Sequence, residues 1–350
     1  MTEVTITSAY TVASSDNGTT LILSGNALFT LTFGAPTGYA SEHVNLIANT
    51  DTVRAKKVTF ASGDWFFLWP QQMATVRKVG AMWLVDRPGR WDWKAGVNIY
   101  VDPAGNDAND GMAPLSASTN GPVKTFARAY QLLQREIDAH DYLPYIRAAS
   151  GTYTGGLSAV GGITGAMQAY VIGDVSNPAN CVISPPTAAN CFETADKAFI
   201  TVQGFRVQGP AGTNGLKCWK QSGLDFAFMD FGTMTGGSHI SCALGGEVIA
   251  VGDYSISGDA YYHIGAVQGG RVKVSGVNCN IPAARSFNTF ASSQSGGLID
   301  GPSIYTGAGA PAVTGVRADA RLNGVVYVNG NPFSYPGTSA NTSSTGGQIL

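Results

Sequence analysis

A glycine-centred motif recurs along the second half of the chain, and its spacing restricts the fold more than any other feature. The segments IGDV, QGFRV, VGDYSI, SGVNC, DGPSIY and NGVVYV align Gly173, Gly204, Gly252, Gly276, Gly301 and Gly324 in one column. Their separations are 31, 48, 24, 25 and 23 residues, and the interval of 48 reads as two units, with the FAFMDFG segment around Met229 filling the missing row. A period of 23 to 25 residues, built of short apolar runs with no helix inside the unit, predicts a solenoid whose coils pack on one another. Side chains vary between rows, as they do when a coil repeats geometry more than sequence. The runs VIAVG and VKVSG place their apolar positions out of step by one residue.

Composition agrees with a turn-rich β protein. Glycine accounts for 45 of 350 residues and charged residues for 13%, against roughly 7% and 25% in average usage. An apolar share of 44% is enough to fill a sizeable core without metals or disulfides. The net charge of −2 supplies neither a basic stripe for nucleic acid nor a polybasic patch for a membrane surface. No cofactor is expected, since no phosphate loop or dinucleotide fingerprint is present. The start, MTEVTITSAY, lacks the cationic and apolar regions of a signal peptide, so synthesis in the cytoplasm is expected. Cys181, Cys191, Cys218, Cys242 and Cys279 are an odd number, form no CxxC pair, and are expected to be buried apolar thiols.

Upstream of the repeat, one helix stands out. In PVKTFARAYQLLQREID the apolar residues Phe126, Ala129, Tyr130, Leu133 and Ile137 form a single stripe, with Pro122 just ahead as a start signal. Directly before a glycine-punctuated β region, such a stripe predicts a cap over the open end of the solenoid core. Residues from Val4 to about Arg87 read as short strands broken by turns at Asn17-Gly18 and Gly63-Asp64, a small sandwich or barrel. The Trp-rich stretch WFFLWP…MWLVDRPGRWDW offers indole faces for sugars or, as the commoner use, anchors for a core. The expected organisation is residues 1–93 as an N-terminal β-domain, 94–143 as a lead-in with the capping helix, 144–330 as the solenoid and 331–350 as a tail.

The segment NIYVDPAGNDANDGMAPLSASTNGPVKTFARAYQLL resembles the lead-in of pectate-lyase-like β-helix proteins: a strand, a Gly/Asn/Asp turn, Pro and Lys-Thr, then a short capping helix. The end, FSYPGTSANTSSTGGQI, and the N-terminal VRKVGAMWLVD after WPQQ resemble parts of phage tail fibres and tailspikes of this class. The resemblance implies an all-β fold, a right-handed parallel β-helix with a small N-terminal β-domain and one capping helix. It also implies a virion tail protein assembled in the host cytoplasm as a homotrimer. Such a protein joins phage tail or neck proteins through its N-terminal domain and presents the helix to a host surface polysaccharide. Secreted polysaccharide lyases and adhesins share the fold.

Candidate chemistry is sparse. Glycosidic hydrolysis needs two carboxylates, and the repeat alignment puts Asp230 and Asp253 in one column, with Asp225 and Glu247 close by. Trp219, Tyr254, Tyr261 and Tyr262 are the aromatic candidates for stacking on sugar rings. Asp107, Asn109 and Gly111 resemble half of a calcium loop without its closing glutamate, so a plain turn is expected and no metal site. His43, His140, His239 and His263 are scattered and suggest neither a triad nor a zinc site. The functions these features support are glycan binding, glycan depolymerisation as a glycoside hydrolase, and a collar or whisker decoration that meets no receptor.

Overall fold

A computed structural model describes residues 2–25, 29–51, 55–86, 98–114, 121–139, 141–331 and 334–350, and the backbone of 91–92. The chain is a parallel β-solenoid of about 13 turns with a single α-helix among the described residues. Ten strands, from Asn98–Val101 to Gln348–Ile349, stack in order into one wall, and a fourteen-stranded sheet supplies the rest of each coil. All-β architecture and a parallel helix with N-terminal sheets are as the repeat and resemblance lead one to expect.

Alternation builds the core. In the ten-stranded wall Ala169, Ile200, Leu224, Val248, Val272, Ile299 and Val326 stand in register on successive coils, and all seven are buried. Burying one such aliphatic side chain contributes about 1.5 to 3 kcal/mol, so a column of this kind carries much of the stacking energy. Cys218 and Cys242 form part of a parallel column, and all five cysteines are buried and free.

Corners explain the glycines. Before each later strand of the wall the chain turns through two consecutive residues with positive φ: Asp196-Lys197, Lys220-Gln221, Leu244-Gly245, Gln268-Gly269, Ser295-Gly296, Leu322-Asn323 and Thr345-Gly346. The glycine that follows in most rows, at positions 246, 270, 297, 324 and 347, faces a backbone atom or side chain of the coil above within 2.9 Å of where a Cβ would stand. Gly324 thus belongs to this second series. The expected single column holds for Gly173, Gly204, Gly252 and Gly276, whose flanking strands pair in that register, and Phe228, with φ 53°, occupies the missing row. Gly301 falls out of it because Lys273 pairs with Asp300.

The helix spans Phe126–Arg135 and buries Phe126, Ala129, Tyr130, Leu132 and Leu133. Thr125 caps it, its hydroxyl accepting the Arg128 N–H at 3.1 Å. The DAND turn holds the start of this helix in place, because Asp107 accepts from the N–H groups of Lys124 and Thr125 and from the Thr125 hydroxyl, at 2.8 to 2.9 Å. Phe126 packs against Tyr153, Phe192 and Phe205, and the Tyr130 hydroxyl donates to the Gly161 carbonyl at 2.7 Å. Ile137 is buried but lies past the helix, in a two-residue strand.

The N-terminal region differs from the expected sandwich in its connectivity. Glu3–Ile6, Thr20–Leu23 and Val44–Asn49 pair in parallel, as do Tyr10–Val12, Thr30–Phe33 and Lys56–Phe60. Two sheets do face a common core, but they are built as coils, and only Trp65–Leu68, Met73–Val79 and Met82–Asp86 add antiparallel strands. Trp69 is buried, and Lys57 and Arg128 of the helix lie over the Trp65 ring at 4.3 and 5.1 Å, so these indoles serve as anchors. The Trp91 side chain, Trp93 and His140 lie outside the described residues. No helix among the described residues is long and apolar enough to cross a membrane.

Candidate functional interface

The interior of the coils is filled with packed side chains, so the candidate contact residues are those on the outer surface, and the strands fix which residues reach it. Asp230 and Asp253 do not share a column. The register pairs Asp230 with Arg206 above and Ser255 below, two residues beyond Asp253. Asp230 is buried; the Arg206 Nε lies 2.6 Å from it and the Ser255 hydroxyl donates at 3.0 Å. Asp253 sits exposed at a corner and accepts from the Asn278 N–H at 2.8 Å and its side-chain amide. Those bonds, the backbone one first, hold its carboxyl below the usual range. Each acid is committed to holding a neighbouring coil.

Asp225 and Glu247 lie on neighbouring coils on the outer face of the ten-stranded wall. Asp225 lies opposite Ile249 and Glu247 opposite Gly223, a diagonal of about 8 Å between Cα atoms from the strand rise and strand spacing. Burial, and then the charge of Glu247, pushes the Asp225 carboxyl up to about 6. Glu247 is ionically tied to Arg271 at 3.3 Å, and Arg271 also meets Asp300 at 2.8 Å.

The four aromatic candidates separate. Tyr254 is only 4% exposed and points into the core, so it has no face to offer a sugar; the alternation that aimed it inward was hidden by the one-residue ambiguity of its row. Trp219 is half-buried, with the ammonium groups of Lys217 and Lys220 over its ring at 4.9 and 4.3 Å. Tyr261 is 44% exposed and meets Tyr262 edge to face at 4.6 Å. Beside them, the row Gly265, Ser292 and Asp319 runs in register along the coil axis, and Gln294 and Arg321 pair two residues on. The Tyr262 ring leans over Gly265, reaching 3.7 Å from where a Cβ would stand.

This patch is built, not incidental. The Asp319 carboxylate is buried and accepts from the Thr342 hydroxyl at 2.6 Å and the Arg321 Nε at 3.0 Å, while Gln294 donates to the Ser292 hydroxyl at 3.3 Å. Arg321 keeps 55% of its side chain exposed. A ring pair with hydroxyls, an amide and a guanidinium alongside suits a pyranose, whose apolar face stacks and whose hydroxyls exchange hydrogen bonds. Sequence reading reached Tyr261 and Tyr262 but missed Ser292, Gln294, Asp319 and Arg321; the common offset of 27 residues between Ser292 and Asp319 and between Gln294 and Arg321 was the available signal.

Among the described residues no three His, Cys, Asp or Glu side chains converge as a metal-ligand set. A cavity of about 460 Å³ opens in the N-terminal sheets, lined by Phe60, Trp65, Phe66, Met82 and Trp83 among others. No family model, no curated protein and no solved structure matches the chain.

Proposed function

We propose that this chain is a virion structural protein of the tail-fibre or tailspike kind, which binds a host surface glycan on its coils without cleaving it. The observation that carries the reading is the exposed Tyr261 ring set edge to face against Tyr262, with the Arg321 guanidinium held alongside by the buried Asp319, on the outer side of the fourteen-stranded sheet. The lead-in and terminal resemblances support the virion setting. Attachment through the N-terminal sheets draws support from their apolar outer face, where Met73, Val79, Met82 and Leu84 are 44 to 69% exposed. Homotrimerisation belongs to the same reading.

A second reading, glycan depolymerase, is favoured by one feature: Asp225 holds its proton to about pH 6 beside Glu247. That pairing of a raised acid with a second carboxylate is what glycoside hydrolysis uses. A decoration protein is the third. Incubating the protein and its Tyr261→Ala and Asp225→Asn variants with host polysaccharide, while measuring both binding and product size, separates the three. Binding without shortening, lost in Tyr261→Ala, is expected. Shortening abolished by Asp225→Asn replaces binding with hydrolysis, and neither binding nor shortening leaves decoration.

A further inference from the structure

A line of polar contacts runs through the apolar interior of the middle coils. The Gly232 carbonyl meets His239 Nε2 at 3.0 Å, His239 Nδ1 meets His263 Nδ1 at 3.1 Å, and His263 Nε2 meets the Tyr254 hydroxyl at 3.1 Å. The Tyr254 hydroxyl meets the Ser303 hydroxyl at 3.0 Å, and Ser303 donates to the Val274 carbonyl at 3.0 Å. Both histidines are fully buried, and Tyr254 and Ser303 are 4% and 5% exposed. Phe231 stacks on His239 at 5.3 Å between ring centres and Phe290 lies 4.7 Å from His263. The charged group facing the line is Arg285, toward His239; the Cys279 thiol and the Tyr305 hydroxyl adjoin Tyr254 and Ser303.

Protons and contacts along this line do not match in number. Carbonyls close both ends and can only accept. Five contacts therefore need five hydrogens, while the neutral groups supply four, one on each imidazole and one on each hydroxyl. Wherever the protons are placed, one contact sets two lone pairs against each other. A fifth proton, on either imidazole, completes all five contacts with each N–H and O–H pointing at an acceptor. A sixth sets two Nδ1–H groups against each other across 3.1 Å.

We infer that the His239–His263 pair is a binding site for one proton, held between the two Nδ1 atoms. Burial opposes it: desolvation lowers the affinity of both rings, pushing His239 down to about 3 and His263 well below the ordinary value, with Arg285 and the neighbouring ring adding to the effect. The site therefore fills only on acidification, below the range in which a free imidazole charges, and it fills once. The second proton is the one that breaks the coil.

Two substitutions restore the match in the neutral state. Ser303→Ala removes two contacts and one proton, leaving three contacts with three protons, so the neutral line is complete. Tyr254→Phe leaves three contacts and three protons as well. In either variant the extra proton no longer fills a vacant contact, and a tenfold loss of proton affinity is expected, about one pH unit for one buried hydrogen bond.

The experiment follows both ring nitrogens of histidine-labelled full-length protein by nitrogen NMR from neutral to acid pH, with near-ultraviolet circular dichroism as the readout of packing. Expected is one proton taken up by the pair with a common midpoint while packing persists, and a lower midpoint in Ser303→Ala, with Tyr254→Phe as the second variant should one fail to fold. Independent uptake of two protons, loss of packing with the first proton, or an unchanged midpoint in a folded variant overturns the inference.

Discussion

Replacing Leu133 by Asp tests whether the helix closes the solenoid. Leu133 is fully buried, on the same face as Phe126, Ala129 and Tyr130, over the first coils. Truncating such a leucine to Ala alone costs about 2 to 5 kcal/mol through lost transfer energy and the cavity left behind. A carboxylate there adds several kcal/mol more for a buried charge with no partner, which together approaches the roughly 5 to 15 kcal/mol that a folded domain has in total. Ala127→Asp is the control, because Ala127 lies on the exposed side of the first turn, where a negative charge is favoured by about 0.3 to 1 kcal/mol. Expression yield and thermal melting followed by far-ultraviolet circular dichroism give the answer. Leu133→Asp should be insoluble or melt at least roughly 10 °C lower, using about 2 to 4 °C per kcal/mol for large domains, and Ala127→Asp should melt like the parent. Soluble Leu133→Asp with an unchanged melting curve would refute the capping role.

Three further outcomes follow from single sites. Gln221 occupies a left-handed corner, φ 56°, where neighbouring coils place Gly245, Gly269 and Gly296; Gln221→Gly should raise stability by about 0.5 to 1 kcal/mol in denaturant titration, since only glycine adopts that conformation without steric cost. Asp230→Asn should lower stability by about 1 to 3 kcal/mol, because it weakens the tie to Arg206, and should leave any polysaccharide shortening unchanged. Carboxyl-carbon NMR should find Asp225 titrating near 6, and Glu247→Gln should move it toward the ordinary aspartate value of 3.8. Because its folded value is raised, its contribution to stability is full below about 3.8 and is lost as pH rises through about 6.

The solenoid was legible because its period is set by backbone geometry, and glycine marks the corners that geometry requires. The register was less so. Two glycine series interleave, and the corner interval lengthens from 24 residues, Leu244 to Gln268, to 27, Gln268 to Ser295, so Gly301 and Gly324 were assigned to a column they do not occupy. A separate slip made Asp230 and Asp253 look like neighbours: the missing row was anchored on Met229, whereas the register puts Phe228 opposite Gly252 and Asp230 opposite Ser255. In the N-terminal region alternation fixes which residues face inward but carries no information on whether adjacent strands run parallel, which depends on the connections. The histidine pair was readable in principle: His239 and His263 are 24 residues apart, one coil, and only their distance in sequence made them look scattered.

Charge on the outer faces bears on what kind of glycan the coils suit. Outward acids meet cations: Glu193 with Lys217 at 3.8 Å, Asp196 with Lys220 at 3.7 Å, and Glu247 and Asp300 with Arg271 at 3.3 and 2.8 Å, while the exposed Arg321 is held by the buried Asp319 at 2.8 Å. Ladders of alternating sign leave little net field, and exposed pairs of this kind contribute about 0 to 1 kcal/mol each to stability, so their effect here is to cancel attraction for a polyanion. What stays available at the Tyr261–Tyr262 patch is ring surface, hydroxyls and one guanidinium already committed to Asp319. A neutral polysaccharide fits that chemistry, and its binding should change little between low and physiological salt, where the screening length falls from about 30 to 8 Å. Affinity measured by calorimetry at the two salt levels decides the point: a steep loss with salt would mean that charge, and so an acidic glycan, drives the binding.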